Sequence, residues 1–398
     1  MTDDRKQTNQ FLLDNTDPEL RHHLVETLVE MQRKCPVAWS PAAGGFWALS
    51  KYDDVVQASQ DWQTFSTAKG ITIPPTGRSN RAIPLEVDPP EHADFRRLLQ
   101  PSFTPKAIQK WEDGIRAIVE ECFAPLVARG HGDVAAEVAK PVPVKALCLV
   151  LGITSDWQKI TDIGERYLSG AADFEHPERV RAAGKEMEDF LGREVEMRRG
   201  KPVEDLLGYL INGEVGGKPL DPIDQLGMVT TMIIAGHETT VNAIGSLVHQ
   251  FITVPGLREK LLADRSLIGP AIDESLRLHS PVWQLSRTVV QDTEVRDVPL
   301  CPGERVMLVY GAANQDPDKF PNPETFDASR PNGTQHVTFG SGRHRCLGEA
   351  LAKLELRLVL EYVLDHVPDI QPDGDAVWGG QIISHGVTAL PVTLPSRS

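Results

Sequence analysis

Residues 339–352 read Phe339-Gly340-Ser341-Gly342-Arg343-His344-Arg345-Cys346-Leu347-Gly348-Glu349-Ala350-Leu351-Ala352, and no other stretch of the chain says as much. Three glycines surround one cysteine, and an amphipathic helix is expected to begin at or just after it. Glycine admits unusual backbone angles and lets the main chain approach a flat ligand. A cysteine at a helix N-terminus faces unpaired N–H groups and the positive end of the dipole. Both favour the thiolate, and Arg343, His344 and Arg345 add positive charge beside it.

Outward from this loop, the other cysteines, at 35, 122, 148 and 301, are too scattered for a disulfide framework or a four-ligand zinc site. The 398 residues are 40% hydrophobic and 24% charged, which excludes a disordered or fibrous chain. With 41 Lys and Arg against 56 Asp and Glu, the net charge is −15. Such acidity argues against binding nucleic acid or an anionic membrane surface. The polar N-terminus, MTDDRKQTNQ, carries no secretory signal, and no apolar run reaches the roughly 18 residues of a membrane span. A soluble, cytoplasmic, monomeric protein is expected.

Apolar residues at three- and four-residue spacing predict helices near 17–33, 106–129, 178–199, 221–253, 256–264, 270–279 and 346–363. Short strands are expected at Phe46–Ser50, Val289–Val298, Val306–Tyr310 and Gly386–Leu394. The fold class is therefore mainly α with minor β, in one domain over 1–398, with 1–35 as an N-terminal extension and first helix. The longest helix opens at Asp221-Pro222, a capping side chain followed by proline at the first helical position, and stops at Val254-Pro255-Gly256. Its middle is apolar nearly all round, yet Gly236 and the polar run His237-Glu238-Thr239-Thr240 interrupt it.

The cysteine loop resembles the haem-ligand signature of the cytochrome P450 family, Phe-Gly-x-Gly-x-His-x-Cys-x-Gly, at every fixed position. Three further stretches resemble that family in the expected order, so the resemblance covers the chain from about residue 36 to its end. Ala235-Gly236-His237-Glu238-Thr239-Thr240 is similar to its oxygen-activation stretch. Glu274-Ser275-Leu276-Arg277 is similar to its Glu-x-x-Arg pair, joined downstream by Arg330 after Pro323-Glu324-Thr325-Phe326; this cluster reads as structural support for the haem loop. The segment Asp88-Pro89-Pro90-Glu91-His92, with Arg96 on the same helix face, is similar to its propionate-binding region.

The resemblance implies haem b (iron protoporphyrin IX), held in a cytochrome P450 fold between the long helix and the cysteine loop. Cys346 is the implied thiolate ligand of iron, with Phe339, Gly340, Gly342 and Gly348 shaping the loop around the porphyrin. His92, Arg96, Arg287 and His344 are the implied propionate partners, with Arg97 as the alternative if the register differs. Ala235 and Gly236 would let the helix approach the haem, Thr239 would hydrogen-bond the dioxygen under activation, and Glu238 would supply protons. His237 reads as structural or substrate-facing. The implied substrate pocket draws on Ile71, Ile73, Thr231, Met232, Ala235, Val282, Trp283, Leu285, Ile382 and Ile383, with Gln284 and Ser286 able to anchor an oxygen.

An apolar small-molecule substrate is expected, with a lean toward a compact terpenoid or aromatic compound. Hydroxylation would use O2 and electrons from NAD(P)H, relayed by a ferredoxin reductase and a ferredoxin, since no fused reductase is read in the chain. Two other functions stay open. One is a haem-thiolate oxidase or peroxygenase carrying out coupling or ring closure. The other is a non-catalytic haem-thiolate ligand sensor, which has no need of Glu238 and Thr239.

Overall fold

Helix Pro222–Thr253, 32 residues long, is the axis of the computed structural model, which describes residues 4–76, 81–154, 156–173, 175–202 and 205–394. At 1.5 Å per residue it spans about 48 Å. Asp221 caps it through Oδ1, which accepts the Ile223 amide at 2.8 Å, with Pro222 at the first position as expected. Residues 240–248 of this helix are all buried, so it is walled in on every side.

In chain order, the elements that build the site are α1 (Leu24–Lys34), β1 (Val37–Ser40), β2 (Phe46–Leu49), α2 (Tyr52–Gln60), β3 (Phe65–Ser66), α3 (Glu91–Leu99), α4 (Pro141–Leu151), α5 (Trp157–Ala172), α6 (Pro177–Arg198), α7 (Pro222–Thr253), α8 (Ile268–Leu278), β4 (Leu285–Val289), β5 (Arg305–Leu308), α9 (Glu349–His366), β6 (Val377–Gly379) and β7 (Gly386–Ala389). Helices α4, α5, α6, α8 and α9 pack around α7. Beside them lies a five-stranded sheet in the order β1-β2-β5-β4-β3, antiparallel except where β5 runs parallel to β2. The β6–β7 hairpin rests on α7, where a Cβ on Gly245 would lie 2.6 Å from the Val387 carbonyl oxygen. The chain is mainly α with minor β, as expected.

Three local expectations are corrected. The strand expected over Val289–Val298 is broken: β4 ends at Val289, and a separate hairpin pairs Thr293–Val295 with Val298–Leu300. Its turn holds Arg296 and Asp297 at φ 49° and 63°, angles no continuous strand adopts. The last long helix begins at Glu349 rather than at Cys346. Helix α4 was not anticipated, because Pro141 and Pro143 disguise it. Both fall in its first turn, where a missing N–H forfeits no intrahelical bond. No described helix is long and apolar enough to cross a membrane.

Candidate active site

A cavity of about 370 Å³ opens between α7 and the loop before α9, within the roughly 300–1,000 Å³ range of small-molecule sites. Cys346 lines this space, and the surface it exposes faces the cavity rather than bulk solvent. Its amide donates to the Phe339 carbonyl at 2.8 Å, closing the loop around the sulfur. Gly348 is the N-cap of α9, so the sulfur lies beside the start of that helix. Burial pushes the Cys346 thiol up from its ordinary value, while the Gly348 N–H, Arg96 and Arg345 pull it down. Local donors alone therefore do not hold a thiolate, whereas a coordinated cation deprotonates such a sulfur outright.

The glycines of the loop divide their work. Gly348 lines the cavity, and a Cβ there would lie 3.9 Å from Cys346 Sγ. Gly342, at φ 70°, turns the other way: a Cβ would meet the Ser59 carbonyl oxygen at 2.9 Å and Gln60 Cα at 3.0 Å. Its smallness seats the loop on α2 instead of making room for a porphyrin, which corrects the sequence reading.

All four expected propionate partners, His92, Arg96, Arg287 and His344, line the cavity together. The imidazoles of His92 and His344 lie 4.3 Å apart. Burial lowers His92 to about 4, helped by the positive charge of Arg96 and Arg343. Burial likewise lowers His344 to about 3, helped by Arg287, His92 and Arg96. Arg96 Nη1 also donates to the Arg345 carbonyl at 3.0 Å, tying this cluster to the cysteine loop. Two guanidiniums, with two imidazoles that are neutral near pH 7 and able to donate N–H, gather at one end of the cavity and accommodate anions, as two carboxylates would be. Arg97 is settled as an outside residue, its side chain 73% exposed and paired with Asp94 at 2.7 Å.

Beneath the loop, Glu274 and Arg277 form a fully buried pair with contacts at 2.8 and 2.9 Å, joined by Arg330 at 2.9 Å. Arg277 also donates to the carbonyls of Asn314 (2.8 Å) and Pro323 (2.7 Å). Asn314 in turn holds Val337 N at 2.7 Å and Thr338 Oγ1 at 2.9 Å, one residue before Phe339. The cluster thus fixes the segment that leads into the cysteine loop.

On the opposite wall, α7 presents Ala235, Gly236, Glu238 and Thr239 to the cavity. Gly236 brings α7 close to α4, since a Cβ would lie 3.2 Å from Leu147 Cδ2. Thr239 Oγ1 donates to the Ala235 carbonyl at 2.8 Å, which leaves the hydroxyl oxygen free as an acceptor. Burial raises Glu238 to about 7, while the Ser384 hydroxyl, Arg21 and the Gln381 amide oppose the rise. His237 is buried beside Gly164 of α5, turned away from the cavity.

Of the expected pocket residues, Ile71, Thr231, Met232, Ala235, Val282, Leu285, Ile382 and Ile383 line the cavity. Ile73 and Trp283 do not. Both are buried in the sheet-side core with Leu13, Leu28 and Phe46. Gln284 and Ser286 also point away: Gln284 Nε2 donates to the Ile382 carbonyl at 3.2 Å, and Ser286 Oγ accepts from Arg305. The reason is alternation along the strand, which puts Leu285 and Arg287 on the cavity face and their neighbours on the other. Sequence reasoning missed Tyr167, Ala243 and Glu355, which line the cavity as well. Glu355 is buried with Oε2 unpartnered and is pushed well above the ordinary carboxylate range by burial. An acid among the apolar positions of α9 was its only sequence signal.

These walls fit haem: a single thiol on one face, a cationic cluster at one edge for two carboxylates, and a helix surface of small residues opposite. Among the described residues no group of three or more His, Cys, Asp or Glu is gathered to hold a metal. A metal at Cys346 thus takes most of its ligands from a non-protein group, as in a thiolate-ligated haem protein.

Comparison with known proteins agrees with this class. The sequence model of the family described as Cytochrome P450 matches residues 172–368. A steroid C26-monooxygenase of Rhodococcus jostii (strain RHA1) is 32% identical over 382 residues, covering 91% of this chain and 80% of the relative. A linalool 8-monooxygenase of Pseudomonas putida is 29% identical, covering 86% and 88%. Among solved structures, a Mycobacterium marinum cytochrome P450 in complex with pseudoionone is similar at TM-score 0.86 and 28% identity, covering 94% of this chain and 95% of that one. The chain belongs to the cytochrome P450 family. It is a haem-binding oxidoreductase of the monooxygenase type.

Proposed function

We propose that Cys346 would hold haem iron through its sulfur and that Glu238 and Thr239, on the α7 wall of the cavity, hold and deliver protons, for hydroxylation of an apolar terpenoid or aromatic small molecule. The observation that carries this reading is that a lone cavity-facing cysteine and a neutral-range carboxyl beside a threonine share one enclosed space. With its thiolate ligand, haem supplies dioxygen activation with electron density pushed toward O–O cleavage. His92, Arg96, Arg287 and His344 would pair with the propionates. Gly348 N–H tempers the charge on Sγ.

Thr239, its proton committed to Ala235, accepts a hydrogen bond at Oγ1 and so keeps a proton-bearing partner at the α7 wall. Glu238, near pH 7, exists in both protonation states under ordinary conditions and passes its proton into that space. Thr239→Ala should leave NAD(P)H consumption running while much of the flux is diverted to peroxide, read as product and peroxide formed per NAD(P)H. An unchanged product yield would remove Thr239 from this role.

The apolar lining of Ile71, Met232, Val282, Leu285, Ile382 and Ile383 supports an apolar substrate, as do relatives named for linalool and bound to pseudoionone. An optical titration of the holoenzyme with terpenoids, small aromatics, fatty acids and steroids tests the class. The low- to high-spin shift should be largest with terpenoids or aromatics; a larger shift with fatty acids or steroids contradicts the lean.

Electrons reach the site from NAD(P)H through a ferredoxin reductase and a ferredoxin, the chain itself acting as one domain. Arg343, exposed beside the cysteine loop, supports docking of an acidic ferredoxin; Arg345 contributes less, being bridged to Glu349 at 2.8 Å. Reversing both charges should weaken ferredoxin-driven turnover severalfold and spare peroxide-driven turnover. Equal loss in the two assays counts against this docking face.

A further inference from the structure

Four charged side chains run from α8 to the residue before Cys346. Asp273 of α8 pairs with Lys353 Nζ of α9 at 2.8 Å. Lys353 also pairs with Glu349 at 3.2 Å, and Glu349 binds the Arg345 guanidinium through both oxygens, at 2.8 and 2.9 Å. Arg345 in turn offers its carbonyl to Arg96 Nη1 at 3.0 Å. The Lys353 ammonium lies 5.5 Å from the centroid of the Phe339 ring, within the range of a cation–π contact. Phe339 lines the cavity, and its carbonyl accepts the Cys346 amide. One cation thus touches both the residue that closes the cysteine loop and the acid that holds Arg345.

Asp273 is fixed from a second direction. The Thr338 N–H donates to His336 Nδ1 at 3.3 Å, so that nitrogen carries no proton and Nε2 does. His336 Nε2 lies 3.3 Å from Asp273 Oδ1 and donates to it, while the imidazole, 5.7 Å from the Phe339 ring, stays neutral. Among the described residues, Lys353 is therefore the one full positive charge paired with Asp273. The Asp273 side chain is only 11% exposed, so solvent ions screen it weakly. Asp273 and Glu349 balance Lys353 and Arg345, and removing any one of the four leaves a whole charge beside the loop.

We propose that Lys353 is a positioning residue that sets the reduction potential of the bound haem: paired with Asp273, it keeps the charge beside the cysteine loop balanced and holds the Phe339 ring in place. The proposal rests on Cys346 being the haem ligand. Reduction adds one electron to the bound group. A net negative charge beside the loop opposes that electron, and a net positive charge favours it.

The test is a spectroelectrochemical titration of the substrate-free holoenzyme. Lys353→Met leaves the two carboxylates one positive charge short, so the equilibrium should move about threefold toward the ferric form. That is a fall of ~28 mV in midpoint, at about 59 mV per tenfold for one electron. Asp273→Asn leaves Lys353 in excess and should raise the midpoint by a similar amount. Lys353→Arg keeps the charge and should return the parent value. Opposite signs are what a merely structural role would not produce, because a loosened loop moves both variants alike. If Lys353→Met does not retain haem, the sign of the Asp273→Asn shift decides. Unmoved midpoints, shifts of the same sign, or a Lys353→Arg variant that follows Lys353→Met overturn the role of Lys353. A parent protein whose reduced carbon monoxide complex lacks the red-shifted Soret band overturns the Cys346 reading, and the proposal with it.

Discussion

Cys346→Ser should lower product formation by on the order of 10³-fold or more, a loss of roughly 4 kcal/mol or more in transition-state stabilisation. The protein should still fold and bind haem. The bonds that shape the loop are made by its backbone, from Cys346 N to Phe339 O and from Arg96 to the Arg345 carbonyl, and neither uses the sulfur. A serine oxygen can still accept the Gly348 amide. What disappears is the strongly donating ligand that favours O–O cleavage. The readouts are product per minute at saturating electron donor, and loss of the red-shifted Soret band of the reduced carbon monoxide complex. A serine variant that turns over within tenfold of the parent would mean that the sulfur is not where the chemistry is driven from.

Glu274→Leu should be the most damaging change away from the cavity. It leaves Arg277 buried without its two carboxylate bonds, and strips one contact each from Arg330 and the Asp327 amide. Removing one partner of a buried pair typically costs about 3–5 kcal/mol, because an uncompensated charge stays behind. A domain has only about 5–15 kcal/mol in total. Because Arg277 and Asn314 hold the segment entering the cysteine loop, haem retention should fall together with the denaturation midpoint. Glu361→Leu, which removes exposed pairs with Arg116 and Arg357, is the contrast and should cost about 1 kcal/mol or less. Equal stability of the two variants would show that the buried cluster is not the support described.

The cysteine loop was legible because its chemistry is contiguous: ligand, glycines and closing phenylalanine lie within ten residues, so no long-range geometry was needed. That His92, Arg96, Arg287 and His344 gather at one cavity was legible from the family resemblance, although His92 and His344 lie far apart in the chain. The pocket was legible only in part, for a physical reason. Segments such as 282–287 could be assigned to the wall, but which side chains turn inward depends on strand register. Alternation along β4 turns Ser286 away from the cavity that Leu285 faces, whereas Trp283 and Gln284 precede the strand and are taken up by the sheet-side core and by the Ile382 carbonyl.

The central claim, that Cys346 gives its sulfur to iron in this cavity, is tested most directly by iron-edge X-ray absorption on the purified holoenzyme and on Cys346→Ser. The account predicts one sulfur scatterer bonded to iron in the parent protein and none in the variant, with the porphyrin nitrogen shell retained in both. A nitrogen- or oxygen-only shell in the parent, or a sulfur that persists in Cys346→Ser, would contradict it.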